Sequence, residues 1–394
     1  MLTKDRLTKA GLNIPFHRSA MGEEEVQAVS SVIRSGWLTM GAKTFQFERE
    51  FAQYIGASHA VAVSSCTAAL HLALDAIGLR PGDEVLVPTN TFTATAEAVT
   101  YMGGRPVLVD IDERTLNISV VDAEEKLTSR TRAMIPVHFS GLPCDLDEIH
   151  ALAKSRDLHV IEDAAHSLPS LYRGRRIGKI SELTAFSFYA TKPLNTGEGG
   201  MITTENDTYA HRTRQMRLHG ISHDAWKRNS AEGEWRYEVL EPGYKYNFTD
   251  MQAALGVVQL AKCDAMFEAR RRIAECYTQA LQSMEALEVP VTQADRESSW
   301  HLYVLRLQTK QLRIDRRQFI AELAERGVQA SVHFTPLHLQ PAYQRLYGYK
   351  QGDLPVAERQ YYRCISLPIF PTMSEREVQY VTSCVTDIVD LFVR

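Results

Sequence analysis

At 394 residues the chain is too long for one small core, and a large unit plus a smaller one is expected. With 44% hydrophobic and 23% charged residues it has the composition of a folded globular protein. A formal net charge of −4 gives neither nucleic acid nor an anionic membrane an electrostatic reason to bind. The opening run "MLTKDRLTKAGLNIPF" lacks an apolar core of signal-peptide length, and no segment approaches the length needed to span a bilayer. A cytoplasmic location is therefore expected. Cys66, Cys144, Cys263, Cys276, Cys364 and Cys384 are scattered, with no CxxC and no zinc-like Cys/His spacing, so free thiols and no metal are expected.

From about residue 60 to residue 205, short β-branched runs alternate with segments of helical period. "HAVAVSS" reads as a strand, and "CTAALHLALDAIGL", with Ala68, Ala69, Leu72, Ala73 and Leu74, as a largely buried helix. "PGDEVLVP" is a turn and strand, "TFTATAEAVTYMG" a helix, "RPVLVDID" a strand and "SVVDAEEKLT" a helix. "AMIPVHF" and "HVIEDAA" are strands on either side of the helix "DLDEIHALAKSRD", and "ELTAFSF" and "GGMITT" are two more strands. This rhythm predicts an α/β fold with a mostly parallel sheet covered by helices on both faces.

After residue 205 the rhythm stops. A polar, aromatic run, "HGISHDAWKRNSAEGEWRYEVLEPGYKYNF", precedes a helical segment from Thr249 to Met284 that is too long for one straight unit. A domain boundary is expected near Cys263 to Phe267. The remainder mixes strand-like runs ("WHLYVLRLQ", "VQASVHF") with helices ("RRQFIAELAERG", "SEREVQYVTSCVTDIVDLF"). The expected division is an N-terminal arm (1–20), a large α/β domain (21–265) and a small C-terminal α+β domain (266–394).

In parallel sheets, ligands bind beyond the carboxyl ends of the strands. That rule selects Ser64 and Ser65, Asn90 to Phe92, His138, Asp163 and Lys192. The turn "SSCT" opens a helix whose free N–H groups suit a phosphate, although Ser64 or Ser65 taken alone reads more readily as a helix cap. Asp163 ends an apolar strand, where a buried carboxylate needs a partner such as a protonated ring nitrogen, a cap or a salt bridge. Lys192 ends "AFSF" and is followed at once by Pro193 and glycines. A lysine is a poor nucleophile at its usual pKa of about 10.4, and desolvation can free its amine to condense with an aldehyde. Phe92 is either a core residue or a ring that stacks on a flat ligand. One ligand explains all four: pyridoxal phosphate.

The chain resembles the PLP-dependent sugar aminotransferases named after DegT, DnrJ, EryC1 and StrS. The resemblance rests on "SGWLTMG", "SSCTAALHLAL", "PGDEVLVPTNTFTATAEAV", "VIEDAAHS", "AFSFYATKPLNTGEGG", "PGYKYNFTDMQAALGVVQL" and "HFTPLH", which cover nearly the whole chain in order. It implies the PLP-dependent transferase fold type I (aspartate aminotransferase-like), with pyridoxamine 5'-phosphate as the intermediate form of the cofactor. By the same resemblance, Lys192 bonds to the cofactor aldehyde and Asp163 pairs with the pyridine nitrogen. Ser187, Cys66 and Thr67 hold the phosphate, Phe92 covers the ring, and His166 contacts the ring or its phenolic oxygen. Asn247 matches an asparagine that reaches the phosphate from the neighbouring subunit of a homodimer, which places the active sites at the subunit interface. Trp37, Thr39, His333 and the run from His219 to Trp226 are implied as substrate contacts.

The resemblance further implies transfer of an amino group from L-glutamate to a nucleotide-linked keto sugar, a 4-keto-6-deoxyhexose by its likeness to particular members. The alternatives are a 3-keto sugar or a PLP-binding regulator without turnover. Cys66 stands where members often carry Gly, and His166 where Gln is more frequent. An imidazole at 166 is expected to add pH dependence. Related dehydratases carry His in place of the lysine, which Lys192 argues against. A nicotinamide enzyme would need a glycine fingerprint that "SSCT" lacks.

Overall fold

The computed structural model describes residues 12–222 and 237–394, so residues 1–11 of the expected arm and residues 223–226 of the His219–Trp226 run lie outside the described residues. Helices α1 (Glu23–Ser35) and α2 (Ala42–Ile55) lead into the alternating region. There β1 (His59–Val63), α3 (Cys66–Ala76), β2 (Glu84–Pro88), α4 (Ala94–Tyr101) and β3 (Arg105–Val109) follow one another. Next come α5 (Val120–Glu125), β4 (Thr131–Met134), α6 (Leu146–Arg156) and β5 (His159–Asp163). Two short strands, β6 (Leu171–Tyr172) and β7 (Arg175–Arg176), precede β8 (Leu183–Ser187), β9 (Gly200–Thr204) and α7 (Asp207–Met216).

Seven of these strands form one sheet in the order β1-β9-β8-β5-β4-β2-β3. The pairs from β3 through β8 are parallel, and β9 runs antiparallel to both β1 and β8. The connection between β8 and β9 has no helix to carry the chain back, so the second strand reverses. The strands are apolar on both faces because helices cover both, as in β1, where Val61 and Val63 face one core cluster and Ala60 and Ala62 the other.

The long segment after Thr249 divides into α8 (Asp250–Ala261) and α9 (Cys263–Leu281), with Lys262 between them. Strands β10 (Leu287–Glu288), β12 (Tyr303–Leu307) and β13 (Cys364–Leu367) form an antiparallel sheet, while β11 (Arg296–Glu297) pairs with β6. Helices α10 (Arg316–Glu325), α11 (Pro341–Tyr347), α12 (Pro355–Tyr361) and α13 (Glu375–Phe392) complete this part. The expected strand "VQASVHF" does not form. Gln329 donates its N–H to Ile14 and Ser331 to Ser366, so the run divides its backbone between two partners and builds no continuous ladder. Among the described residues, no helix is long and apolar enough to cross a membrane.

Two features fix the region around β8. Phe186 and Phe188 are fully buried and meet Phe51 of α2 at ring-centroid distances of 5.2 and 5.6 Å. Phe47 adds contacts to Phe188 at 5.3 Å and Phe248 at 6.0 Å, so one aromatic cluster pins the strand to α2 and to the entrance of α8. The start of α2 has no cap of its own, because its N-cap is Gly41. Asp250 supplies one through space. Its Oδ1 accepts from Gly41 N at 2.8 Å, Thr44 N at 2.9 Å and Thr44 Oγ1 at 2.8 Å, and its Oδ2 from Lys43 N at 3.1 Å. A buried carboxylate at a helix N-terminus satisfies orphan N–H groups and meets the favourable end of the helix dipole. "SGWLTMG" and "NFTD" therefore meet in space. Asp250→Ala is expected to lower unfolding stability by about 2–4 kcal/mol and Asp250→Asn by about 1 kcal/mol, read from urea denaturation midpoints.

Candidate active site

The carboxyl ends of β1, β2, β5 and β8 open onto a cavity of about 480 Å3, where Cys66, Thr67, Asp163, Ser187, Lys192 and Phe92 come together. A second cavity of similar size, lined by Glu48, Arg214 and Arg217 among others, lies away from these residues and carries none of this chemistry.

At the β1 end, Ser65 is the N-cap of α3, and its Oγ accepts from Ala68 N at 3.1 Å. Cap and anion site coexist, because the N–H groups of Cys66 and Thr67 lie in the first turn and have no intrahelical acceptor. The Cys66 thiol turns toward Asp163, 4.0 Å from Oδ1. Glycine is required where β9 passes this turn. A Cβ on Gly200 would stand 2.5 Å from the Ser65 carbonyl and 2.7 Å from Cys66 N.

Asp163 is buried at the end of β5. Its Oδ2 accepts from Thr95 Oγ1 at 2.8 Å and its Oδ1 from Ala165 N at 3.1 Å. Burial nevertheless raises its pKa above the ordinary value, against those hydrogen bonds and the nearby Lys192. A cation placed against this carboxylate would reverse that penalty.

Lys192 follows β8 by five residues, in a turn closed by Lys192 N donating to Tyr189 O at 2.8 Å. Phe188 bonds across the loop to Gly199 O at 2.8 Å, and Gly197 supplies the left-handed residue (φ 79°) that lets the chain return as β9. Burial lowers the Lys192 pKa to about 8, against the opposing pull of Cys66 and Asp163. Ser187, also half-buried, accepts from Tyr189 N at 3.3 Å.

Phe92 is 60% exposed at the mouth of the cavity and meets Phe334 at 6.1 Å. It is not a core residue. His166 is buried, its Nδ1 has no hydrogen-bond partner, and its ring lies 6.0 Å from Phe334 and 4.4 Å from His301. Burial, then Lys192 and His333, hold its pKa well below the ordinary value of 6.5. That direction favours the neutral ring and works against the pH dependence expected of an imidazole at 166. His333 also lines the cavity, bonded through Nδ1 to Ser366 Oγ at 2.9 Å, with its pKa lowered to about 4 by burial.

Four sequence candidates lie outside this cavity. The Trp37 indole donates to Met40 O at 3.2 Å, and Thr39 O accepts from Asp250 N at 3.2 Å. Exposed His219 donates its N–H to Tyr244 O at 2.7 Å, and Asn247 bridges to Val63. Sequence reasoning passed over Thr95 and His301. Thr95 is one of four threonines in "TNTFTAT", with nothing to mark it, and His301 sits in "SSWHLYV", which reads only as the approach to a strand.

These residues fit pyridoxal phosphate. Free N–H groups at a helix start await an anion, and a buried carboxylate awaits a cation. An exposed ring offers a stacking face, and a desolvated amine stands within the same cavity.

Comparison with known proteins agrees. The model described as the DegT/DnrJ/EryC1/StrS aminotransferase family matches residues 19–386. The chain is 48% identical over 377 residues to the spore coat polysaccharide biosynthesis protein SpsC of Bacillus subtilis, covering 95% of this chain and 97% of SpsC. Spr1654 of Streptococcus pneumoniae, assigned as a sugar aminotransferase, superposes in its PLP-form with a TM-score of 0.90 at 32% identity, covering 96% of this chain and 99% of that one. Its PMP-form gives a TM-score of 0.89. Helicobacter pylori PseC, an aminotransferase involved in the biosynthesis of pseudoaminic acid, gives 0.90 at 26% identity over 97% of this chain and 100% of its own. The fold is fold type I of the PLP-dependent transferases, a large mostly parallel sheet domain followed by a small α+β domain. The chain belongs to the DegT/DnrJ/EryC1/StrS aminotransferase family and is a PLP-dependent aminotransferase that passes through pyridoxamine phosphate.

Proposed function

We propose that the enzyme moves an amino group from L-glutamate to a nucleotide-linked 4-keto-6-deoxyhexose, giving an amino sugar and 2-oxoglutarate. The observation that carries the chemistry is the burial of an amine and a carboxylate, Lys192 and Asp163, at the ends of neighbouring strands. A sugar acceptor is supported by relatives named for spore coat polysaccharide and pseudoaminic acid biosynthesis. Likeness of "HGISHDAWKR" and "PGYKYNFTDMQAALG" to members acting on 4-keto sugars supports the position. The domain division remains as read from the sequence, with a large domain over 21–265 and a small one over 266–394. Scattered, unpaired thiols suit a reducing, cytoplasmic setting.

When bound, the cofactor supplies an aldehyde for covalent capture of an amine and a ring that absorbs the charge left when a proton leaves the substrate carbon. The protein does the rest. Cys66 and Thr67 N–H with Ser187 Oγ would hold the phosphate. Asp163, oriented by Thr95 and Ala165, would keep a proton on the ring nitrogen. Lys192 Nζ, once released, would take the substrate proton as a base and return it as an acid. At pH 7 a pKa of about 8 leaves roughly a tenth of Lys192 neutral, against fewer than about one in two thousand for an unperturbed lysine. Asn247, Trp37, Thr39 and His219 lie outside the cavity of their own chain, and in a homodimer they are free to serve the neighbouring one.

The function is tested with the yellow holoenzyme. L-glutamate alone should bleach it, and one member of a panel of UDP-, dTDP- and GDP-linked 4-keto and 3-keto sugars should restore the colour. Restoration by 3-keto sugars alone would move the reaction to C3, and an enzyme unbleached by L-glutamate would refute the donor. Lys192→Ala should abolish turnover and the borohydride-stable cofactor adduct, while denaturation shows a folded protein. The lowered Lys192 pKa fixes a sign: the rate at which apoprotein takes up pyridoxal phosphate should rise roughly tenfold per pH unit below about 8 and level off above it. An unperturbed lysine would rise to above about pH 10. Because burial lowers the His166 pKa, His166→Gln should shift the acid limb of the pH–rate profile little, and a flattened limb would restore the titrating role read from the sequence.

A further inference from the structure

His301 belongs to none of the roles above, yet its placement is over-determined. It sits in the segment 299–302, stitched to the turn after β4 by Ser299 N donating to Gly141 O and Leu302 N to Ser140 O, both at 3.2 Å. Ser299 Oγ donates to the backbone carbonyl of His166 at 2.5 Å. Buried Arg270 reaches the carbonyls of Trp300 at 3.3 Å, His301 at 3.4 Å and Ile369 at 2.7 Å. Trp300 is held in the left-handed region (φ 53°), strongly disfavoured for so bulky a residue. Strain of this kind persists only where the surroundings enforce it, and it concentrates at functional sites.

The enforced geometry brings the His301 ring into the cavity wall, 4.4 Å from His166. Its Nδ1 is sealed from solvent without a hydrogen-bond partner. A proton there would be a stranded donor, so the favoured tautomer carries it on Nε2, the nitrogen left to serve the cavity. Burial, then His166 and Lys192, press the His301 pKa well below 6.5, so the ring offers a donor without a charge.

A transaminase must bind two unlike partners in one place. An α-amino acid brings a carboxylate, and a keto sugar brings hydroxyls. Among the described residues lining this cavity the only Lys or Arg is Lys192, which is committed to the cofactor. An arginine would grip the carboxylate, but facing the sugar it would be left unpaired in a desolvated site. A neutral N–H donor suits both. We propose that His301 is a shared binding residue, donating from Nε2 to the α-carboxylate of the amino donor in one half-reaction and to a hydroxyl of the sugar in the other. This rests on the reading of an amino-acid donor and a sugar acceptor.

The experiment uses holoenzyme and two variants. His301→Phe keeps the ring and its packing but removes the donor, and His301→Gln keeps a neutral donor. Absorbance confirms cofactor loading, and bleaching is followed against L-glutamate, L-glutamine and L-alanine. His301→Phe should raise the half-saturating concentration of the accepted amino acid roughly 10- to 100-fold, and His301→Gln should stay within about threefold of wild type. The same contrast is expected when the pyridoxamine form is reoxidised by UDP- or dTDP-4-keto-6-deoxyglucose. Wild-type saturation in His301→Phe would overturn the proposal. So would equal failure of both variants with the cofactor retained, which would mark a packing role. A wild-type enzyme bleached by none of the amino acids would instead remove the donor reading beneath it.

Discussion

Asp163 at the end of β5 and Lys192 in the turn after the adjacent strand β8 are drawn out of water, and the architecture around them answers the cost of doing so. Isolated burial of an ion costs several kcal/mol even after relaxation. Each group meets that penalty differently. The carboxylate keeps two hydrogen bonds, from Thr95 and Ala165, yet remains short of a cation. The amine gives up part of its charge, which is the property covalent chemistry needs. The aromatic cluster of Phe47, Phe51, Phe186 and Phe188 keeps β8 from yielding to this strain by moving.

The cavity is electrically graded. One end is a helix start whose free N–H groups invite a dianion, and the floor is a carboxylate. His166, His301 and His333 also line it, all pushed toward the neutral form by burial. Asp163, Lys192 and Glu198 of this lining thus stand beside three histidines that burial holds toward the uncharged form.

Much of this was legible in the sequence because it is local. The strands, the helix after "SSC" and the break in the long segment after Thr249 follow from periodicity and turn chemistry within windows of a dozen residues. The rule that ligands gather at strand ends then picked Asp163, Lys192 and Phe92 without any coordinates. What escaped is held from a distance. Thr95 matters because β5, two places along the sheet from the strand before it, ends beside it. His301 matters because a turn about 160 residues earlier holds its segment in place. "VQASVHF" has the alternation of a strand, but its backbone partners come from two separate parts of the chain.

The carboxylate of Asp250 has a consequence for how the polypeptide is made. Helix α2 begins at Ala42, but the acceptor for its first amides lies more than 200 residues downstream. During vectorial synthesis the start of that helix emerges from the ribosome without this acceptor, and it cannot be capped in this way until 209 further residues have been added. Until then the first amides of α2 have only water to accept from them.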